Sequence, residues 1–110
     1  MAFSFSSIRV LLGNEALMRE RLVEHFPGLG YKQASMLLRD LGLAENLAII
    51  DTHVVKFSGI FIEMPMYKGT SQSYLKCEAA LQQFASAYGI SVASLDRAIW
   101  ASMAAIHRGS

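Results

Sequence analysis

Hydrophobic residues recur at helical spacing along most of the chain. Between Asn14 and Phe26, and again between Tyr31 and Leu41, the apolar positions fall on one broad face of a helix. In the two stretches these positions are Leu17, Met18, Leu22, Val23 and Phe26, then Ala34, Leu37, Leu38 and Leu41. Asn14 is a favourable N-cap, and Gly42 suits the end of the second helix. The pattern therefore predicts two consecutive amphipathic helices.

A very short connection joins these two helices. It consists of Pro27, Gly28, Leu29 and Gly30, which allows only a tight reversal, because proline fixes φ and glycine can adopt positive φ. The sequence therefore predicts a helix-hairpin-helix. Amide N–H groups that gather at such a turn and at the start of the next helix form an anion site, and a nucleic-acid phosphate suits it. Lys32 lies within the first turn of the second helix, beside this site.

A buried non-helical segment is predicted next. The apolar run Leu47–Ile50 is too short for a helix, and no second run lies nearby to pair with it as a strand. We interpret it as a segment that leads through the core to Asp51. Asp51 then begins a helix that runs to about Phe61 and turns three apolar side chains inward. These are Val54, Val55 and Phe57.

Two further helices follow a surface loop at 63–72. The first begins at Ser71 or Ser73, and the second ends near Ile106. A short helical turn that ends at Leu12 precedes the hairpin. The sequence thus predicts an all-α fold with five to six helices around one core.

We expect a single helical domain over residues 1–110, with the hairpin at 14–42 and the remaining helices at 43–110. Hydrophobic residues make up 53% of the chain, so disorder is not expected. No apolar run approaches the ~20 residues that span a bilayer, and the N-terminus lacks a secretion signal. We therefore expect no membrane partner and a cytoplasmic, nucleoid-associated location. The single cysteine, Cys77, excludes a disulfide or a four-cysteine zinc site within the chain, and we expect no metal site.

Charge gives little general support for nucleic-acid binding, since the net charge is only +1. Cationic and acidic residues lie together on the hairpin helices, and we interpret them as a mixed, solvated surface rather than a basic patch. The cations are Arg19, Arg21, Lys32 and Arg39, and the acids are Glu15, Glu20, Glu24 and Asp40. Contact with DNA would then have to be local, through the hairpin and a few cations.

Lys32 and Asp51 are the candidate catalytic pair, 19 positions apart (51 − 32). One helix out and a buried segment back can bring them close together. A lysine partly withdrawn from water at the start of a helix is a candidate amine nucleophile, and an aspartate can stabilise positive charge that develops on a sugar ring. Taken singly, each residue has a plainer interpretation. Lys32 would be a solvated surface charge and Asp51 an N-cap.

Six short stretches of the chain resemble the helix-hairpin-helix DNA glycosylase superfamily, most closely the archaeal-type 8-oxoguanine DNA glycosylase/AP lyases. The stretches are GLGYKQAS (28–35), LRDLG (38–42), LAIIDTHV (47–54), SYL (73–75), YGIS (88–91) and LDRAIW (95–100). The resemblance runs from Leu17 to Trp100. It implies a base-excision repair enzyme that acts on double-stranded DNA, from which the damaged base is flipped.

The resemblance also implies roles for individual residues. Lys32 matches the lysine that attacks C1′ of the damaged nucleoside and forms a Schiff base, and Asp51 matches the aspartate that supports the transition state. Four hairpin residues match the part that grips the DNA backbone, often with a bound monovalent cation and with no other cofactor. These four are Gly28, Leu29, Gly30 and Tyr31.

His53 and Trp100 match residues that support the base pocket, although each has an alternative. His53 could orient the Asp51 carboxylate or touch DNA, and a buried, hydrogen-bonded histidine is equally consistent with the sequence. Trp100 shares a helix with Ile99, so ordinary core packing competes with a role in the pocket. Tyr31 could pack on a DNA sugar or shield the hairpin.

The resemblance leaves one part of the family unmatched. Family members are about twice as long, and the helices that form the other wall of their base pocket have no counterpart in residues 1–13. We therefore expect a chain that carries the catalytic half, as a fragment or with a homodimer or partner chain completing the fold. The alternatives to a glycosylase are a non-catalytic hairpin module that holds DNA phosphates and a structural subunit of a larger complex.

Overall fold

Five α-helices make up most of the protein in the computed structural model, which describes residues 14–109 and their side chains as far as Ile106. The helices are α1 (Glu15–His25), α2 (Tyr31–Asp40), α3 (Thr52–Phe61), α4 (Ser71–Ala87) and α5 (Val92–Gly109). No strand occurs within the described range, and the all-α prediction is confirmed. The short turn predicted to end at Leu12 lies outside the described residues.

Local capping determines where these helices begin and end. The Asn14 side chain accepts a hydrogen bond from the Leu17 amide at 3.1 Å and begins α1, as its N-cap position predicts. Gly42 takes a φ of 74° just after α2, where a residue with a side chain would be strained. α4 begins at Ser71, one of the two residues predicted to start it, and Thr70 is its N-cap, which accepts a hydrogen bond from the Ser73 amide at 3.1 Å.

The turn between α1 and α2 is a tight reversal, as predicted. The Leu29 amide donates to the Phe26 carbonyl at 3.0 Å, and Gly28 adopts a φ of 88°. Gly30 is extended, and its amide donates to the Oε1 atom of Gln33 at 3.2 Å. Since α1 packs directly on α2, these bonds complete a helix-hairpin-helix.

The buried apolar side chains form two clusters. The first joins the hairpin helices to Leu47 and includes Met18, Leu22, Ala34, Leu38 and Ala44. The second joins α3, α4 and α5 and includes Ala48, Ile50, Val54, Tyr74, Cys77, Leu81, Leu95 and Ile99. The non-helical segment Leu47–Ile50 passes from the first cluster to the second, as its apolar sequence predicts, and leads to Asp51 at the start of α3.

Some apolar side chains that we expected to be buried are exposed. Their exposed fractions range from 38% for Leu17 to 62% for Leu41. The affected side chains are Leu17, Phe26, Leu37, Leu41 and Val55. Periodicity identifies which residues share a helix face, but it does not determine how much of that face another element covers. In this protein, neighbouring elements bury only part of the apolar face of each helix.

Arg19 corrects the interpretation of the hairpin charges as a solvated surface. It is 1% exposed, and its guanidinium donates to both carboxylate oxygens of Glu78, at 2.5 and 2.7 Å. It also donates to the Ser35 hydroxyl at 3.2 Å. Burial alone would lower the pKa of Arg19, but the hydrogen bonds and charge of Glu78 outweigh it and hold that pKa above its usual value. Arg19 is therefore a charged residue of the core that ties α1 to α4.

Polar side chains also hold the backbone of the buried segment. Glu78 accepts a hydrogen bond from the Ala48 amide at 2.8 Å, so the same carboxylate binds both Arg19 and the segment. Arg39 pairs with Asp96 and donates to the Leu47 carbonyl at 2.6 Å. Because this stretch has no helix or sheet of its own, side chains supply the partners that its buried backbone groups require.

The buried ion pair gives a prediction about stability. Replacing Arg19 by Met leaves Glu78 charged and buried without its partner, and we expect a loss of about 3–5 kcal/mol in the free energy of unfolding. Urea denaturation measures this directly. Arg21→Met is the matched control, because Arg21 lies on the same helix but is exposed and meets Glu24 at 3.7 Å. Equal stability of the two variants would contradict a structural role for the Arg19–Glu78 pair.

Candidate functional site

A cavity of about 470 Å³ opens beside the start of α2. On one side it is lined by the hairpin residues Gly30, Tyr31 and Lys32, and on the other by Thr70 and Ser71 at the start of α4. Tyr67 and Tyr74 complete much of its wall. The hairpin turn and the cavity are therefore adjacent, and Lys32 belongs to both.

Lys32 is exposed, and its side chain lines the cavity. The partial withdrawal from water that we expected is therefore not present in this structure. Lys32 lies in the first turn of α2, and the buried residues of this helix are Ala34, Ser35 and Leu38. An exposed amine beside an open cavity can be reached by a large polymer such as DNA.

Asp51 lies immediately before α3 and is half-buried. Its Oδ1 atom accepts a hydrogen bond from the Val54 amide at 2.9 Å, so it acts as the N-cap. No hydrogen bond or ion pair joins it to Lys32 within the described residues, and it does not line the cavity. The charge of Asp51 acts on Asp96. Burial raises the pKa of Asp96, the hydrogen bond and charge of Arg39 oppose the rise, and the negative charge of Asp51 adds to it.

The Tyr74 side chain contacts both the start of α2, which carries Lys32, and the segment that leads to Asp51. Tyr74 is buried, and its hydroxyl donates to the Ala48 carbonyl at 2.6 Å and accepts from the Ile50 amide at 3.3 Å. Its ring meets the edge of the Tyr31 ring, with centroids 5.7 Å apart. Burial raises the pKa of Tyr74, which keeps the hydroxyl protonated and able to donate.

The hairpin residues differ in what they expose. Gly28 and Gly30 are exposed, whereas Leu29 is partly buried and packs against the first core cluster. Tyr31 is half-buried, and its hydroxyl donates to Glu20. That hydrogen bond, together with burial, raises the pKa of Tyr31. The contacts of Tyr31 favour a shielding role over a free ring that awaits a sugar.

His53 and Trp100 are brought together, away from the cavity. Their ring centroids lie 4.3 Å apart with an angle of 61° between the planes. His53 Nδ1 is buried and has no hydrogen-bond partner among the described residues. The structure therefore differs from the alternative of a buried, hydrogen-bonded histidine. Trp100 is 50% exposed, which also contradicts simple core packing. The pair presents an aromatic surface at the junction of α3 and α5.

Tyr74 and Glu78 were not recognised as site residues from the sequence. A signal was nevertheless present, because Tyr74, Glu78, Leu81 and Ala85 recur along one face of α4. A glutamate that shares a helix face with three largely apolar side chains is expected to be buried, and a buried carboxylate needs a cationic partner. The partner itself, Arg19, is 59 positions away and could not be identified from spacing.

Among the side chains that the structure describes, from residue 14 to residue 106, no group of three or more His, Cys, Asp or Glu is arranged to hold a metal ion. No helix within residues 14–109 is both long enough and apolar enough to cross a membrane. Cys77 is fully buried in the second core cluster.

The chain is similar in sequence to proteins named 8-oxoguanine DNA glycosylase/AP lyase. The chain is 40% identical over 91 residues to an 8-oxoguanine DNA glycosylase/AP lyase of Korarchaeum cryptofilum, a match that covers 79% of this chain and 42% of the relative. Over 92 residues it is 40% identical to the protein of that name from Thermotoga sp. (strain RQ2), with 80% and 43% of the two chains covered.

A solved structure resembles the fold. It is the Methanocaldococcus jannaschii 8-oxoguanine glycosylase/lyase in complex with a 15mer DNA that contains 8-oxoguanine. The TM-score is 0.69 at 30% sequence identity, and the match covers 87% of this chain and 48% of the other.

The chain spans less than half the length of the relatives that it matches. The profile of the Ogg-HhH family, described as 8-oxoguanine DNA glycosylase, matches residues 4–90 and so begins upstream of the motifs that carry the resemblance. This match includes the hairpin, Lys32 and Asp51. Because it covers most of the chain, the protein belongs to the Ogg-HhH family of 8-oxoguanine DNA glycosylases.

Proposed function

We propose that this chain carries the catalytic half of a base-excision DNA N-glycosylase/AP lyase that acts on 8-oxoguanine. The observation that supports this most is the position of Lys32, an exposed amine at the mouth of a cavity beside a formed hairpin. The relatives that share the surrounding sequence are named for that activity. The substrate is double-stranded DNA, in the nucleoid, with the damaged base flipped out of the stack.

The proposed chemistry uses two residues. Lys32 Nζ attacks C1′ of the damaged nucleoside as the bond from C1′ to the base breaks, and the resulting Schiff base leads to cleavage of the strand. Asp51 supplies negative charge where positive charge develops on the sugar. The Val54 amide holds the Asp51 carboxylate at the start of α3. In this proposal the carboxylate acts in catalysis from the same position in which it caps the helix.

The hairpin would hold the DNA backbone through the residues on either side of Leu29. Gly28 and Gly30 are exposed, and no described heavy atom beyond the two chain neighbours of Gly28 lies within 4 Å of the position that a Cβ on it would take. A phosphate can therefore approach the turn closely. In the free protein the Gly30 amide donates to Gln33, and we expect phosphate to replace this contact. His53, which is half-buried, and Trp100, which is exposed, would support the base pocket through their rings, which meet edge to face.

A monovalent cation at the hairpin is part of the proposal. The open space at Gly28 leaves room for an ion, and the backbone carbonyl oxygens of the turn are of the donor type that hard cations prefer. Such an ion would help to hold a DNA phosphate against the turn. The two steps of the proposed chemistry require no other cofactor.

We also propose that a second chain, either another copy or a partner, completes the fold. The chain covers less than half of each relative, and large apolar side chains on α3 and α5 are exposed. The exposed fractions are 73% for Ile60, 64% for Phe61 and 67% for Ile106. Side chains of this type on the surface of a partial fold favour association.

A second candidate function is a DNA-binding module without catalysis. It is favoured by one observation, which is that the hairpin is fully formed while Lys32 and Asp51 are not in contact. This module would bind DNA in a salt-sensitive and sequence-independent manner.

Covalent trapping distinguishes the two functions. With a duplex that contains 8-oxoguanine and borohydride, we expect a reduced protein–DNA adduct, because borohydride fixes a Schiff base. Lys32→Gln should abolish it, while Lys76→Gln, a change at an exposed lysine on α4, should not. No adduct from the natural chain, together with DNA binding that persists in Lys32→Gln, would instead support the binding module.

Two replacements of Asp51 separate its capping role from its catalytic role. Asparagine is a good N-cap, so Asp51→Asn should leave the free energy of unfolding nearly unchanged, whereas Asp51→Ala should lower it by about 1 kcal/mol. Both variants lose the charge, and we expect the trapping rate to fall roughly 10²–10³-fold in each. A normal rate in Asp51→Asn would show that Asp51 is only a cap.

The state of association can be tested by sedimentation of the purified chain over a range of concentrations. We expect a dimer, since the exposed apolar surface has no cover within the described residues. Ile60→Lys should weaken the dimer, and Lys56→Glu, also on α3 and exposed, should not. A monomer at every concentration would exclude the homodimer and leave the partner chain.

A further inference from the structure

Tyr74 lies between the two halves of the proposed catalytic site. Its side chain is 2% exposed and projects from α4, an element that carries neither Lys32 nor Asp51. It nevertheless contacts Tyr31, the residue before Lys32, and the backbone of Ala48 and Ile50, just before Asp51. It also lines the cavity at which Lys32 stands.

We propose that Tyr74 is a positioning residue that fixes Asp51 relative to the helix that carries Lys32. The inference rests on the proposed function for its catalytic consequence. Its structural basis is independent of that function and can be tested separately.

The hydroxyl acts on backbone that has few other constraints. Residues 47–50 belong to no helix or strand, so their buried polar groups depend on side chains. Tyr74 binds the Ala48 carbonyl at 2.6 Å and the Ile50 amide at 3.3 Å, while Glu78, one helical turn later, binds the Ala48 amide. Three backbone groups that lead to Asp51 are therefore held by two side chains on the same face of α4.

The aromatic ring of Tyr74 contacts the start of α2, while its hydroxyl binds the segment before Asp51. It meets Tyr31 edge-on with centroids 5.7 Å apart, and Tyr67 on another side at 5.9 Å. The guanidinium of Arg19 lies 4.9 Å from the Tyr31 ring and 5.8 Å from the Tyr74 ring. A rigid aromatic side chain that is packed in this way sets the distance from the start of α2 to the segment before α3.

Tyr74→Phe tests the proposal because it keeps the ring and removes only the hydroxyl. The Ile50 amide loses its acceptor and the Ala48 carbonyl its donor, and we expect Asp51 to lose its fixed position. Tyr88→Phe is the matched control, since it removes the same atom from an exposed tyrosine at the other end of α4.

Amide hydrogen exchange gives a readout that does not depend on activity. In Tyr74→Phe we expect the Ile50 and Val54 amides to exchange roughly tenfold faster, with no change at Leu81 in the middle of α4. Val54 is informative because its amide is held by the Asp51 side chain. Unchanged exchange at Val54, or equal acceleration at Leu81, would overturn the proposal, since the first shows no effect on Asp51 and the second shows a general loss of stability.

The trapping rate tests the catalytic consequence. We expect Tyr74→Phe to slow trapping roughly tenfold in the natural background and to have no further effect in Asp51→Asn, because it acts through Asp51. The same slowing in both backgrounds would contradict positioning through Asp51. If the natural chain forms no adduct, the proposed function fails, and the exchange at Val54 alone decides whether Tyr74 positions Asp51.

Discussion

The buried ion pair between Arg19 and Glu78 is the contact on which the rest of this structure depends. It connects the first hairpin helix to α4, and the same carboxylate holds the amide of Ala48. Removing two charges from water is costly, and further hydrogen bonds to the buried groups offset part of that cost. Here the Ser35 hydroxyl binds the guanidinium and the Ala48 amide binds the carboxylate, while Arg19 Nε is buried without a hydrogen-bond partner among the described residues. These contacts also specify how the hairpin meets the other helices.

The position of the candidate site follows from this arrangement. Lys32 and Asp51 each lie at the start of a helix, where local turn and cap interactions determine the direction of the chain. The segment between the two helices has no regular structure, and its path is set by side chains from α4 and by Arg39. The geometry of a lysine and an aspartate therefore depends on buried polar contacts made by residues that would not themselves touch DNA.

The local features of this fold could be predicted from sequence, and the long-range ones could not. Asn14 and Asp51 were recognised as caps because a cap depends on residues within one turn. The burial of Arg19 was missed, since its partner is 59 positions away and a charged residue on a helix is usually solvated. Leu41 was expected to be buried but is exposed. Burying it would require contact with another helix or loop, which its position at the end of α2 does not reveal. The proposed roles of Lys32 and Asp51 come from family resemblance, and spacing alone did not assign them.

Peptide mapping of the reduced protein–DNA adduct tests the central claim most directly. The duplex should contain 8-oxoguanine, and the adduct should be digested and the modified peptide sequenced by mass spectrometry. The account predicts one modified amine, the side chain of Lys32 in the first turn after the hairpin. Modification of the chain's N-terminal amine or of another lysine such as Lys68 or Lys76 would contradict it, because the reacting amine would then not be the one in the first turn of α2.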